Sequence, residues 1–175
     1  MSFLYHFVRK DLRGDILYPL NMLKTVYPDL YSIQSAKYKD REQLMGYEIP
    51  ILNCLWNDVL HFSAVHPKKI ARAFELAGEP DRHFECFEID PYSLEMENTI
   101  VFLYSGKTMQ EHLNLENFIA YNPEELARHV NIPDETIEYY REKLSQDKRP
   151  LLFHLVPHIL YKGSINISNV KRVNA

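Results

Sequence analysis

The sequence predicts a single α+β domain that spans residues 1–175. Its 175 residues, 46% of them hydrophobic and 25% charged, are typical of one globular domain with a sizeable core. Strand-like apolar stretches occur near both ends and in the middle of the chain, and helical stretches occur in blocks between them. This order indicates a split mixed or antiparallel sheet core with helices in blocks, because a doubly wound fold would alternate strands and helices regularly.

The first elements follow from local composition. "FLYHFV" at residues 3–8 is short, aromatic and apolar, and "RGD" follows it, which predicts a strand and a turn. His6 then lies inside this strand. Residues 18–50 contain three prolines and show helical spacing of Leu20, Leu23 and Tyr27, which predicts two or three short helices.

In the middle of the chain, the sequence predicts one strand, then a helix, and then two further strands. "DVLHFSAV" at residues 58–65 has the β-branched and aromatic content of a strand, and "HPKKIARAFELAG" predicts a helix that Pro67 opens and Gly78 ends. His66 is expected to cap this helix. "HFECFEID" and "NTIVFLYSG", at residues 83–90 and 98–106, predict core strands on either side of the turn "DPYS".

The second half predicts two helices and then two strands. "NPEELARHVN" has Asn122 as N-cap and Glu125 in a capping box, and "PDETIEYYREKL" repeats the helical period. "LLFHLVPHILY" and "SINISNV" predict closing strands joined through Lys162 and Gly163. Six large side chains are expected to be largely buried: Trp56, Phe62, Phe87, Val101, Phe102 and Ile159.

Bulk properties exclude several classes of protein. A net charge of -4 and a pI near 6.1 argue against a broad nucleic-acid-binding face. Two cysteines are too few for a disulfide scaffold and fit a reducing compartment, so we expect a cytoplasmic protein. The N-terminus lacks the features of a signal peptide, and no apolar run approaches the roughly 20 residues that cross a bilayer.

Common catalytic motifs are missing from the sequence. Although the chain has eight histidines, His154 and His158 are separated by Pro157 and would lie roughly 13 Å apart on a strand, so no metal site is expected. We expect most histidines to be satisfied by backbone or water. Cys54 and Cys86 lie in apolar stretches that would keep their thiols inert, and no serine-hydrolase, NTPase or Rossmann motif is present.

Polar residues nevertheless recur at the predicted strands. If those strands are neighbours, one cationic, hydrogen-bonding cleft could receive a phosphorylated, nucleotide-like ligand. His61 and Ser63 are two residues apart and would share a strand face with access to this cleft. In the alternative interpretation, the basic residues form only a solvated turn. The candidate residues are His6, Arg9, Lys10, Arg13, His61, Ser63 and His158.

Three stretches resemble the ADP-ribosyltransferase-like fold, especially the DarT-type DNA-modifying toxins and, more distantly, the RNA 2'-phosphotransferases. They are "LYHFV", "DVLHFSAVHPKKIARAF" with "FECFEIDPYSL", and "PHILYKGSINISNVKRV". The resemblance implies that NAD is a substrate and that His6 holds its ribose. Arg9, Arg13 and Ser63, from the predicted cleft, are the other candidate cofactor-binding residues. His158 takes the position of the family's catalytic glutamate, so His61 and His158 are the candidate catalytic residues.

Three functions are therefore expected as alternatives. The first is an NAD-dependent mono-ADP-ribosyltransferase, or another nucleotide-using transferase, with a nucleic acid or a protein as acceptor. The second is a domain that binds the ligand without turnover, because a histidine cannot supply the fixed negative charge of a glutamate. The third is an interaction protein whose acidic helices, within residues 122–146, contact a basic partner.

Overall fold

A computed structural model describes residues 2–104 and 114–175 of the chain, as one α+β domain. Its strands are β1 (Leu4–Phe7), β2 (Ile16–Leu17), β3 (Glu48–Ile49), β4 (Cys54–Leu55), β5 (Leu60–Phe62), β6 (Glu85–Ile89), β7 (Thr99–Phe102), β8 (Phe118–Ala120), β9 (His158–Tyr161), β10 (Ile165–Asn166) and β11 (Lys171–Asn174). Its α-helices are α1 (Leu23–Val26), α2 (Pro28–Ser35), α3 (Pro67–Ala77) and α4 (Asp134–Ser145).

The strands form two main sheets. One has the order β1-β6-β11 and the other the order β5-β9-β7-β8, while β2 pairs with β10 and β3 with β4. Every pairing among the described strands is antiparallel, so the sheet core is antiparallel and not mixed.

The two main sheets meet where β1 runs beside β5. The amide of Tyr5 donates to the carbonyl oxygen of Ser63 at 2.8 Å, and the amide of Ser63 donates back to Tyr5 at 3.0 Å. This isolated bridge is the link between the edges of the two sheets. It brings His6 of β1 close to His61 of β5.

Both faces of the four-stranded sheet are covered. Phe62, Val101 and Ile159 pack with Phe87 from the other sheet, whereas Phe102 lies in a second cluster with residues 49–59. These five side chains are at most 2% exposed, which confirms their predicted burial. Trp56 is only partly buried, so that prediction was wrong. Its ring centroid lies 4.8 Å from that of His61 and 5.5 Å from that of Phe102, and the rest of the ring is near the surface.

The helix after β5 forms as predicted. Pro67 occupies its first turn, and the Nδ1 atom of His66 accepts a hydrogen bond from the amide of Lys68 at 3.2 Å, which confirms the cap. Gly78 ends the helix with a φ of 105°, a conformation that favours glycine. Helix α3 packs on α4 through the stacked rings of Phe74 and Tyr140, whose centroids are 4.0 Å apart.

The helix predicted at residues 122–131 is a 3-10 helix over Pro123–His129. Asn122 caps it as predicted, since its Oδ1 accepts from the amide of Glu124 at 3.0 Å. The side chain of Glu125 forms an ion pair with Arg128 at 2.9 Å, one turn further on, in place of the predicted capping-box contact.

The predicted closing hairpin is wrong. Residues 151–157 form turns, with Leu155 at a φ of 56°, and the strand begins only at His158, after Pro157. Strand β9 then inserts between β5 and β7, and the segment predicted as its partner splits into β10, which pairs with β2, and a turn before β11. Strand β9 therefore pairs with strands that are distant in sequence and does not form the predicted hairpin with the segment that follows it.

The strand predicted at residues 98–106 is confirmed over Thr99–Phe102, and its last two residues, 105 and 106, lie outside the described ranges. None of the helices within those ranges combines the length and the apolar character needed to cross a bilayer.

Candidate functional site

A groove lies where β1 and β5 meet the helical segment that precedes residue 39. It encloses a cavity of about 120 Å³. Apolar walls come from the β2 and α1 region and from Val59 and Leu60. None of the described residues that line the groove is acidic. The polar and aromatic lining residues are His6, Phe7, Arg9, Arg13, Tyr18, Tyr27, Gln34, Lys37, Tyr38, Asn57 and His61.

The structure brings His6 and His61 together in this groove. Nδ1 of His6 donates to the carbonyl oxygen of His61 at 2.9 Å, and Nε2 of His61 donates to the carbonyl oxygen of Trp56 at 3.1 Å. Each neutral imidazole therefore keeps its second ring nitrogen as a hydrogen-bond acceptor. Both strands thus present histidines that are fixed by backbone groups.

Burial keeps both imidazoles uncharged. It lowers the pKa of His6, and it lowers the pKa of His61 to about 3, with a smaller effect from the neighbouring His158. Nδ1 of His158 likewise donates to a carbonyl oxygen, that of Val156, at 2.7 Å. The histidines of this region are neutral, carbonyl-bound groups near pH 7.

Arg9 and Arg13 line the groove, but each guanidinium is held by a carboxylate. Arg9 contacts Asp11 through two nitrogens at 2.9 and 3.0 Å, and Arg13 contacts Asp29 at 2.6 and 3.0 Å. A ligand phosphate would have to compete with Asp11 and Asp29 for these two guanidinium groups. Lys10 is exposed and is not among the groove residues, as the solvated-turn interpretation expects.

Lys37 adds a third cation to the groove. Its Nζ atom lies 4.9 Å from the ring centroid of Tyr38, and no carboxylate pairs with it in the described part of the chain. Desolvation lowers the pKa of Lys37, and the charges of Arg9 and Arg41 lower it further. Lys37 therefore lies near two other cations, Arg9, which Asp11 pairs, and the exposed Arg41.

Asn57 is a buried amide in the wall of the groove. Its Oδ1 accepts a hydrogen bond from the hydroxyl of Tyr38 at 2.7 Å, and its side chain is 2% exposed. Nδ2 is buried and has no hydrogen-bond partner among the described residues. The next residue, Asp58, fixes this turn by accepting from Asn21 and from the amide of Leu55, each at 2.7 Å.

The other two predicted site residues do not line the groove. Ser63 lies beyond the end of β5, is 1% exposed, and uses its Oγ to accept from the amide of Val65 at 3.0 Å. The sheet bridge to Tyr5 turns it into the core. His158 begins β9 on the same sheet face as His61, and the two ring centroids are 6.3 Å apart, but Trp56 and Phe102 surround this pair.

Sequence reasoning missed Lys37, Tyr38 and Asn57. "WND" at residues 56–58 interrupts a dense apolar stretch, and a polar pair at such a point is a recognisable signal of a functional or buried polar site. Lys37 and Tyr38 offer no comparable signal, because "SAKYKD" has the composition of an exposed helix end.

Outside the groove, the described residues show neither a reactive thiol nor a metal site. Burial raises the pKa of Cys54 to about 11 and that of Cys86 to about 12, so both thiols stay protonated in the core. Within residues 2–104 and 114–175, no three His, Cys, Asp or Glu side chains are grouped to hold a metal ion.

Comparison of this chain with protein-family models, with curated proteins and with solved structures finds no match. The resemblance to ADP-ribosyltransferases therefore stays a prediction from the sequence, and the groove is the feature from which a function can be inferred.

Proposed function

We propose that this protein binds a nucleotide-like ligand in the groove, with NAD as the first candidate. The observation that carries the proposal is a lining that holds the cation Lys37, two guanidinium groups that Asp11 and Asp29 pair from outside the lining, and two neutral histidines. Such a lining suits an anionic ligand that also carries hydroxyl groups. The phosphates would lie toward Arg9, Arg13 and Lys37, and the second nitrogen of His6 could accept a hydrogen bond from a ribose hydroxyl.

The size of the cavity limits how NAD would fit. Drug-sized ligands occupy sites of roughly 300–1,000 Å³, whereas this cavity is about 120 Å³. One ring of the dinucleotide fits inside, and the remainder would extend along the open groove past Lys37. The residues present therefore fit either one end of NAD or a whole mononucleotide.

The geometry supports binding better than group transfer. An oxocarbenium-like centre is stabilised by a nearby negative charge, and the described lining supplies none. His61 and His158 are neutral and tied to carbonyl groups, and His158 does not face the groove. A ligand-binding domain without turnover is therefore the form of the proposal that the side chains favour.

Calorimetry with NAD, ADP-ribose and AMP, and with adenosine as the phosphate-free ligand, tests the proposal. Lys37→Ala should weaken binding of the phosphorylated ligands by about tenfold, because a charge-assisted hydrogen bond is lost. Binding of adenosine should change little. Raising the salt concentration should weaken the phosphorylated ligands selectively.

Lys24→Ala is the matched control. Nζ of Lys24 lies 5.1 Å from the ring centroid of Tyr31, so this lysine has the same kind of contact as Lys37, but it is not among the groove residues. Its removal should leave all affinities unchanged. Equal effects of the two variants, or no binding of any phosphorylated ligand by the native protein, would refute the proposal.

Group transfer is the second candidate, because His158 opens β9 only 6.3 Å from the ring of His61, where the family resemblance places its catalytic residue. Incubation with NAD, with and without single-stranded DNA, RNA or protein acceptors, would test it. Release of nicotinamide that His158→Ala abolishes would support transfer. Saturable NAD binding with no release would leave binding as the function.

A further inference from the structure

A second groove lies between helix α3 and the start of α4, and it shares no lining residue with the groove described above. Its cavity measures about 440 Å³. The lining extends along α3 from Lys68 to Leu76, which is roughly 12 Å at the rise of an α-helix. A groove of this length between two helices can hold about two turns of a third helix.

The floor of the second groove is apolar. Ala73 and Leu76 come from α3, and Ile132 and Ile137 come from α4 and the residues before it. Leu76 is 50% exposed at the end of this floor, although the opposite side of α3 packs in the core. A half-exposed leucine beside two partly buried isoleucines is apolar surface that a partner can remove from water.

The rim of the second groove is cationic. Nζ of Lys69 donates to neutral oxygens, a backbone carbonyl at 2.8 Å and Oδ1 of Asn131 at 3.3 Å. Arg72 is paired with Glu75 at 2.6 Å. In the described part of the chain, neither Lys68 nor Lys69 forms an ion pair, so these two exposed lysines carry positive charge that no carboxylate balances.

An apolar floor with a cationic rim selects an acidic, amphipathic partner. A concave groove fits a convex segment such as a helix, whereas a flat bilayer requires apolar side chains that protrude from the protein. The phosphates of a nucleic acid could contact the lysines, but the described lining contains no aromatic side chain on which a base could stack. The chemistry of the second groove therefore favours a protein segment.

We propose that the second groove is a docking site for a short acidic and apolar segment of a partner protein, which binds as an amphipathic helix. Apolar side chains of the segment would lie on Leu76 and Ile137, and its carboxylates would pair with Lys68 and Lys69. Because the two grooves share no lining residue, this site does not depend on nucleotide binding.

Peptide display tests the choice of partner. Random peptides of about 14 residues, long enough to form a few helical turns, are selected for binding to the native protein. The enriched peptides should combine Asp or Glu with Leu, Ile or Phe at helical spacing. Their affinities, measured by fluorescence anisotropy, should weaken as the salt concentration rises. No enrichment, or enriched peptides without acidic residues, would overturn the proposal.

Two substitutions test the rim and the floor separately. Lys68→Glu should weaken the enriched peptides at least tenfold, because a repulsion replaces an attraction. Leu76→Ser should weaken them about tenfold, because apolar contact area is lost. Lys39→Glu and Ile33→Ser are the matched controls, since both residues are exposed and line neither groove, and each should leave the affinities unchanged. Circular dichroism checks the fold of all four variants, and the composition of the peptides needs no variant.

Other occupants of the second groove would give different results. Binding to phosphatidylserine vesicles that Lys68→Glu abolishes, with no enriched peptide, would assign the groove to a membrane. A dimer in sedimentation that Lys68→Glu dissociates would assign it to a second copy of this chain. Peptide affinities that either Lys68→Glu or Leu76→Ser leaves unchanged would place the peptides elsewhere on the protein. Each of these results would overturn the proposal.

Discussion

At the residue scale, His61 links the groove to the pH response of the whole protein. Its half-buried imidazole packs against Trp56 and lies near Lys37 and the neutral rings of His6 and His158, so protonation would place a charge among apolar rings and near a cation. Its pKa is about 3 in the folded protein, against about 6.5 in an unfolded chain. The unfolded state therefore binds more protons between these two values, and stability falls as the pH drops below about 6.5.

His61→Gln should flatten this acid response. Glutamine is uncharged at every pH and can still donate toward the carbonyl oxygen of Trp56. We expect urea denaturation at about pH 7 and about pH 4.5 to show a smaller loss of unfolding free energy in the variant than in the native protein.

His83→Gln is the control, since His83 is exposed. That variant should keep the native pH dependence. If His61→Gln lost as much stability on acidification as the native protein, protonation of His61 would not be a cause of the loss.

Some residues of the groove could be predicted from the sequence and others could not. His6 and His61 could be placed in one site because each lies in a short strand whose composition identifies it. In a continuous strand Ser63 would lie on the same face as His61, because the two are two residues apart. Strand β5 ends at Phe62, however, and the bridge to Tyr5 decides the position of Ser63. The partners of Asn57 and Lys37 come from distant segments, and their contacts follow only from the folded chain.

At the element scale, strand β9 depends on the turn that follows it. A β-carbon on Gly163 would lie 2.6 Å from the ring of Tyr161, the last residue of the strand. The turn therefore needs glycine for space, and the φ of Gly163 is not in the left-handed region. Lys162 adds to this anchor, because its amide donates to the carbonyl oxygen of Asn98 at 2.8 Å.

Gly163→Ala should destabilise the protein by about 1–3 kcal/mol, because the buried ring of Tyr161 must shift to admit the methyl group. Chemical denaturation measures the change. Gly46→Ala is the matched control, since no atom lies within 4 Å of its added β-carbon, and its effect should stay within about 0.5 kcal/mol. Equal effects of the two substitutions would contradict the steric argument.

At the scale of the whole molecule, strands could be predicted but their pairing could not. The β1, β6 and β7 segments have apolar, β-prone compositions that local reasoning detects. Leu4 pairs with Ile89 across β1 and β6, and Phe62 pairs with Ile159 across β5 and β9. The local sequence of a strand does not indicate which distant strand lies beside it. The closing hairpin was predicted because strands that are consecutive in sequence usually pair. Strands β9 and β10 do not pair with each other, so that prediction was wrong.

This topology predicts slow folding. Most sheet contacts join residues far apart in sequence, and the loop-closure entropy must be overcome before those contacts form. Refolding after dilution from urea should take milliseconds to seconds, as stopped-flow tryptophan fluorescence can follow through Trp56, which lies against Phe102 of β7. Complete refolding within microseconds would contradict this expectation.

The central place of β9 matters before the protein is finished. A ribosome synthesises β5 and β7 long before the strand that lies between them. Until residues 158–161 leave the exit tunnel, both strands keep open edges that can pair with other nascent chains. Translation is therefore the period when this polypeptide is most exposed to aggregation, and chaperones that cover unpaired strands would act on it then.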